Sequence, residues 1–61
     1  MTDTERDAVY TELCRTMTAV GEAQAPLFLA RLALLAFERL DDGAAAQGLI
    51  DDAARDLQRG A

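Results

Sequence analysis

Apolar positions along the chain fall into three blocks separated by glycine-marked breaks. In the first, Val9, Tyr10, Leu13, Cys14, Met17 and Val20 recur at spacings of one, three and four, which places them on one stripe of an α-helix. Thr4 is suited to cap this helix, with Asp7 in the capping-box position three residues on. Glu5 and Asp7 also suit the positive end of the helix dipole. Gly21 follows Val20 and is a natural terminator, because glycine adopts the left-handed backbone that ends helices.

The second block opens on Pro26, which fits a first helical turn where its missing N–H is no loss. From Leu27 to Leu40 the only charged residues are Arg31, Glu38 and Arg39. At about 100° per residue, Arg31 and Glu38 fall close together as a narrow polar strip, and Arg39 falls elsewhere. The remaining positions are Leu, Phe or Ala and cover well over half the circumference, whereas a surface helix needs an apolar stripe of roughly 100°. This helix must therefore touch neighbours on more than one side. Ala30, Ala33 and Ala36 are small enough to let another backbone approach closely.

Asp41-Asp42-Gly43 closes the second helix, and Asp42 is a suitable N-cap for the third. Ala46, Leu49, Ile50, Ala53 and Leu57 form its apolar face. Asp51, Asp52, Arg55 and Asp56 form the solvated side, with Asp51 and Arg55 at ion-pair spacing. Gly48 weakens this helix by roughly 1 kcal/mol relative to alanine, and the chain from Gln58 to Ala61 is expected to fray. No stretch alternates with the period of a strand. The pattern predicts a single all-α domain over residues 1–61, with helices at about 4–20, 26–40 and 43–58. Short connections favour antiparallel neighbours, so the expected fold is a three-helix antiparallel bundle with an apolar central helix, associated as a dimer.

Length sharpens that expectation. A chain of 61 residues has a marginal core of its own, and small domains add disulfides, a metal or a second subunit. Cys14 is the only cysteine, which excludes an internal disulfide, and the chain has no histidine; a zinc site is therefore not expected. Association remains. The net charge of −5 opposes nucleic-acid binding and adsorption to an anionic membrane, and the acidic balance argues against a helix-turn-helix DNA reader. The apolar run from Ala25 to Phe37 contains Arg31 and is shorter than the about 20 residues a membrane span requires. The polar, acidic start does not resemble a signal peptide, and a lone thiol fits a reducing cytoplasm. A cytoplasmic protein with no nucleic-acid or membrane partner is expected.

Candidate chemistry is sparse. The commonest general base, histidine, is missing, and Cys14 has no such partner to activate it. Cys14 reads as a small buried hydrophobe, the alternative being a redox-sensitive or partner-facing thiol. Asp41/Asp42 and Asp51/Asp52/Asp56 read as a cap and a solvated face rather than as a loop of converging metal ligands. No catalytic residue, cofactor or metal is expected, and no Asp-Ser-Leu attachment site marks a carrier protein. Five residues stand out as candidates for a partner or dimer interface: Tyr10, Phe28, Arg31, Leu34 and Phe37. Arg31 has two readings: its stem covers apolar surface while its head meets water, Glu38 or a carboxylate of the first helix, or it is an interface arginine. Tyr10 fits a core edge or a binding anchor. Phe28 and Phe37 point to opposite sides of the second helix, so that one can fill the chain's own core while the other meets a second chain.

Ala8-Val9-Tyr10, the Gly21 break, the block Leu27-Phe28-Leu29-Ala30-Arg31-Leu32-Ala33-Leu34-Leu35 and the closing Leu49-Ile50-Asp51 resemble a family of bacterial helical proteins of about this length and unknown function. Members of that family are often encoded beside flavin-dependent aromatic-ring hydroxylases in catabolic gene clusters. The resemblance implies a small accessory subunit or stabiliser of such an enzyme, and offers no catalytic residues to carry over. The functional expectation is a non-enzymatic, dimeric accessory or adaptor protein. The alternatives are a small-molecule-binding bundle walled by Leu29, Leu34 and Phe37, and an acidic regulator that masks a basic partner.

Overall fold

A computed structural model describes residues 1–57 and shows three helices among them: α1 (Asp3–Val20), α2 (Ala25–Leu40) and α3 (Gly43–Ala54). The fold class is all-α. The start of α1 lies earlier than the sequence suggests. Thr2, not Thr4, is the N-cap: the Glu5 N–H donates to Thr2 Oγ1 at 3.1 Å and the Thr2 N–H donates to Glu5 Oε1 at 2.8 Å. Thr2/Glu5 and Thr4/Asp7 share the same spacing, but only glutamate is long enough to reach back comfortably to the cap's own N–H. Within α1 the hydroxyls of Thr11, Thr16 and Thr18 donate to the carbonyls of Asp7, Glu12 and Cys14, four residues back. Thr16 can therefore sit half-buried without an unmet donor.

The first break is built on Gly21, whose φ of 84° and ψ of 161° lie in a region open essentially to glycine alone. Its carbonyl accepts from the N–H groups of both Gln24 and Ala25, which folds the chain directly into α2. Pro26 occupies the first turn of α2 as predicted, and Gln24 caps it without a side-chain bond. Asp41 ends α2 in the left-handed conformation (φ 52°, ψ 40°), its N–H donating to the Phe37 carbonyl. Asp42 then caps α3, its carboxylate accepting the Ala45 N–H at 3.0 Å. α3 stops at Ala54, short of the expected boundary; residue 58 lies outside the described residues, as does the expected fraying of the last four positions. Acidic Asp51 and Asp52 sit at the negative end of this helix and no basic residue lies in its last turn, an arrangement the helix dipole disfavours. Arg55 leaves the helix (φ −55°, ψ 131°) and pairs with Asp52 at 2.8 Å rather than with Asp51.

α2 meets α1 on one side and α3 on the other, and α1 and α3 bring no α-carbons within 8 Å of each other among the described residues. Among the same residues, no two α-carbons twelve or more positions apart come within 8 Å, so neighbouring helices approach only near their joints. The single chain does not close the antiparallel bundle expected from its short connections. The arrangement of α2 accounts for this: its apolar arc is wide enough to engage α1 and α3 on opposite faces, at Phe28 and Phe37, and helices on opposite faces of a third do not meet in one core.

The consequence is a chain with no buried residue among those described. Its radius of gyration is 13.4 Å, against about 10.5 Å for a compact domain of this length. It exposes 5413 Å², about 1,500 Å² more than a compact globule of its mass. Folding to this state removes roughly 43% of the unfolded surface, where a domain of similar size removes roughly 60%.

Candidate interaction surface

Two apolar grooves flank α2. Between α1 and α2, Val9, Glu12, Leu13 and Thr16 face Phe28 and Leu32 across a space of about 250 Å³. Between α2 and α3, Ala33 and Phe37 face Leu49, Ile50, Ala53 and Ala54 across about 530 Å³, with no charged residue in the lining. A third depression of about 490 Å³, at the α1–α2 joint, is lined by Val20, Gln24, Leu27, Phe28 and Arg31. All three are open to solvent. The sequence periodicity explains the walls: Val9, Leu13 and Thr16 share one face of α1, and Leu49, Ile50 and Ala53 share one face of α3.

The residues singled out from sequence are distributed over this surface rather than gathered in one place. Phe28 and Phe37 are half-buried on opposite sides of α2, and each lines a groove formed with a helix of its own chain. Leu34 is 64% exposed and Tyr10 59% exposed, and neither lines any of these grooves. Arg31 is exposed, lies beside Val20 and Phe28, and makes no ion pair with Glu38 or with an α1 carboxylate. Cys14 is exposed, contrary to the expectation of a buried thiol. On α1 it lies to one side of the line through Val9, Leu13 and Thr16, the line that faces α2. The sequence pattern places Val9, Leu13, Leu32, Leu49 and Ile50 on apolar stripes but does not mark them as interface candidates. Val9, Leu49 and Ile50 are each 51% exposed. Amphipathic spacing marks a side chain for burial but does not say which molecule buries it.

Polar chemistry on this surface is local. Glu5 is held below its ordinary carboxylate pKa, first by the hydrogen bond from the Thr2 backbone N–H and second by the Thr2 side chain. Arg6 pairs with Asp3 at 3.1 Å on the exposed first turn of α1. Among the described residues no three acidic, cysteine or histidine side chains gather closely enough to hold a metal ion, and no helix is long and apolar enough to cross a membrane. What the described surface presents in quantity is half-exposed aliphatic area, and the interaction such area favours is burial against another apolar face. The chain matches no protein-family model, no curated protein and no solved structure.

Proposed function

We propose that this protein is a non-enzymatic helical interaction module that functions as a homodimer and serves as an accessory or adaptor subunit of a larger cytoplasmic enzyme. The observation that carries this reading is the lack of any buried residue, among those described, in a folded chain whose three helices each present large aliphatic side chains to solvent. A monomer that exposes about 1,500 Å² beyond the compact expectation has enough surplus for a standard interface, which takes about 800 Å² per partner. A second interface of similar size can be built from the remainder. In the dimer, helices of the second copy complete the antiparallel packing that one chain leaves open. The resemblance to proteins encoded beside flavin-dependent aromatic hydroxylases makes such an enzyme the first partner to test. Affinity purification of the tagged chain from its native host is expected to recover a flavoprotein hydroxylase in stoichiometric amount and to raise that enzyme's thermal stability or coupling efficiency on re-addition. Repeated recovery of the chain alone, with no effect on the hydroxylase, would overturn the accessory role.

A further inference from the structure

Leu27, Ala30, Leu34 and Phe37 are spaced three, four and three residues apart along α2, the spacing of a coiled-coil seam. Ala30, Leu34 and Phe37 lie on the side of the helix away from Phe28, and Leu27 lies at the edge of the α1–α2 joint, whose depression it lines with Phe28 and Arg31. Leu27 is 48% and Leu34 64% exposed, and the seam runs into the charge-free α2–α3 groove at Phe37. Arg31 and Glu38 lie along one edge of this seam, each directly after a residue of it, and neither has an ion-pair partner among the described residues. Seven residues apart, they are about 10 Å from each other along the axis and do not pair directly.

We infer that the seam is the dimer interface, and that a second copy lies antiparallel across it about a two-fold axis that crosses the seam at the level of Leu34, so that Arg31 of each copy pairs with Glu38 of the other. This rests on the reading of the protein as a dimeric interaction module, and names the face and the register. A two-fold contact is isologous: whatever one copy offers, it must also receive. An edge that carries one arginine and one glutamate meets that requirement twice over when the chains run antiparallel. A parallel pairing would leave both charges without a counterpart. The apolar seam also suits a copy of this acidic chain. Two molecules of net charge −5 repel each other, so their contact is best built from uncharged residues plus locally opposite charges. The surplus surface exceeds the about 800 Å² per copy that such an interface requires.

Charge reversal at these two positions tests the register. Arg31→Glu replaces two attractive contacts per dimer by two repulsive ones, and from the usual worth of exposed ion pairs the dimer dissociation constant is expected to rise about thirtyfold in sedimentation equilibrium. Glu38→Arg is expected to do the same, and the double variant that carries both reversals to return the constant close to the original. Both residues are exposed in the single chain, so helicity by circular dichroism should hold in all three variants at concentrations where each is dimeric, and Val9→Asp, on the α1–α2 groove, is expected to leave dimerisation intact. Dimers unaffected by either reversal, or a double variant as weak as the singles, would overturn this interface while leaving the dimeric reading in place. A wild-type chain that sediments at its single mass of 6.6 kDa at every concentration would overturn both.

Discussion

Leu34→Asp separates a self-sufficient chain from one that needs a second copy. In the single chain Leu34 is 64% exposed, so a carboxylate there remains in water and the substitution costs little more than the difference in helix propensity, about 0.5 kcal/mol. That corresponds to a melting shift of about 2 to 4 °C. In the proposed dimer the cost is larger. Full burial of a leucine side chain is worth about 1.5–3 kcal/mol, and about two thirds of that remains to be gained at Leu34 on association. An unpaired carboxylate in the same apolar contact adds a desolvation cost of several kcal/mol. The combined loss, about 4 kcal/mol or more for each copy and so about 8 kcal/mol or more per dimer, raises the dissociation constant by at least about a hundred-thousandfold. Light scattering and thermal melting at micromolar concentration read both quantities. The expected result is loss of the dimer mass, with loss of helicity where folding and association are coupled. A Leu34→Asp variant with unchanged mass and a melting shift no larger than about 4 °C would show that Leu34 faces water in the functional molecule, and would refute the reasoning.

Other perturbations probe the elements that shape this surface. Gly21→Ala meets open space yet forces a side chain into a backbone region reserved for glycine, and is expected to cost about 1–3 kcal/mol by chemical denaturation; a neutral result would show that the α1–α2 joint relaxes freely. Gly48→Ala also meets nothing within 4 Å and sits inside α3, so it is expected to stabilise by about 1 kcal/mol, and destabilisation would mean that another backbone approaches there. The Thr2–Glu5 capping box sets an acid limb. Because the folded pKa of Glu5 is depressed, its contribution is fully present above the ordinary glutamate value and is lost as pH falls through the lowered one. Helicity should therefore decline over that acid window, and Thr2→Ala should diminish the part of the decline due to Glu5; identical acid titrations would count against the box.

Much of the local structure was legible in the sequence because its determinants are local. Gly21, Pro26 and Asp42 act within a turn of where they stand, and α2 begins and ends within a residue of its expected bounds. The errors were local too. The start of α1 is two residues early because Thr2 with Glu5, rather than the expected Thr4 with the less suitable Asp7, forms the capping box, and α3 ends early where Asp51 and Asp52 stand at its negative end. The tertiary arrangement was less legible. Phe28 and Phe37 were correctly placed on opposite sides of α2, but periodicity alone does not reveal that each turns to a different helix of its own chain. Nor does it reveal that this leaves α1 and α3 apart. Cys14 shows the same limit: its place on an apolar stripe implied burial, and the open arrangement leaves it in water. Leu34 and Arg31 were marked for an interface by composition, and the single chain leaves both exposed.

We propose that this chain is incomplete until a second copy joins it. Thermal unfolding followed across a hundredfold range of protein concentration tests whether the second copy is needed. For a dimer that unfolds to separate chains, an unfolding enthalpy scaled to two copies of this length gives a rise in Tm of about 6 °C for each tenfold increase in concentration. A Tm that does not move across that range, in a chain that retains its single mass throughout, would show that one copy is complete by itself.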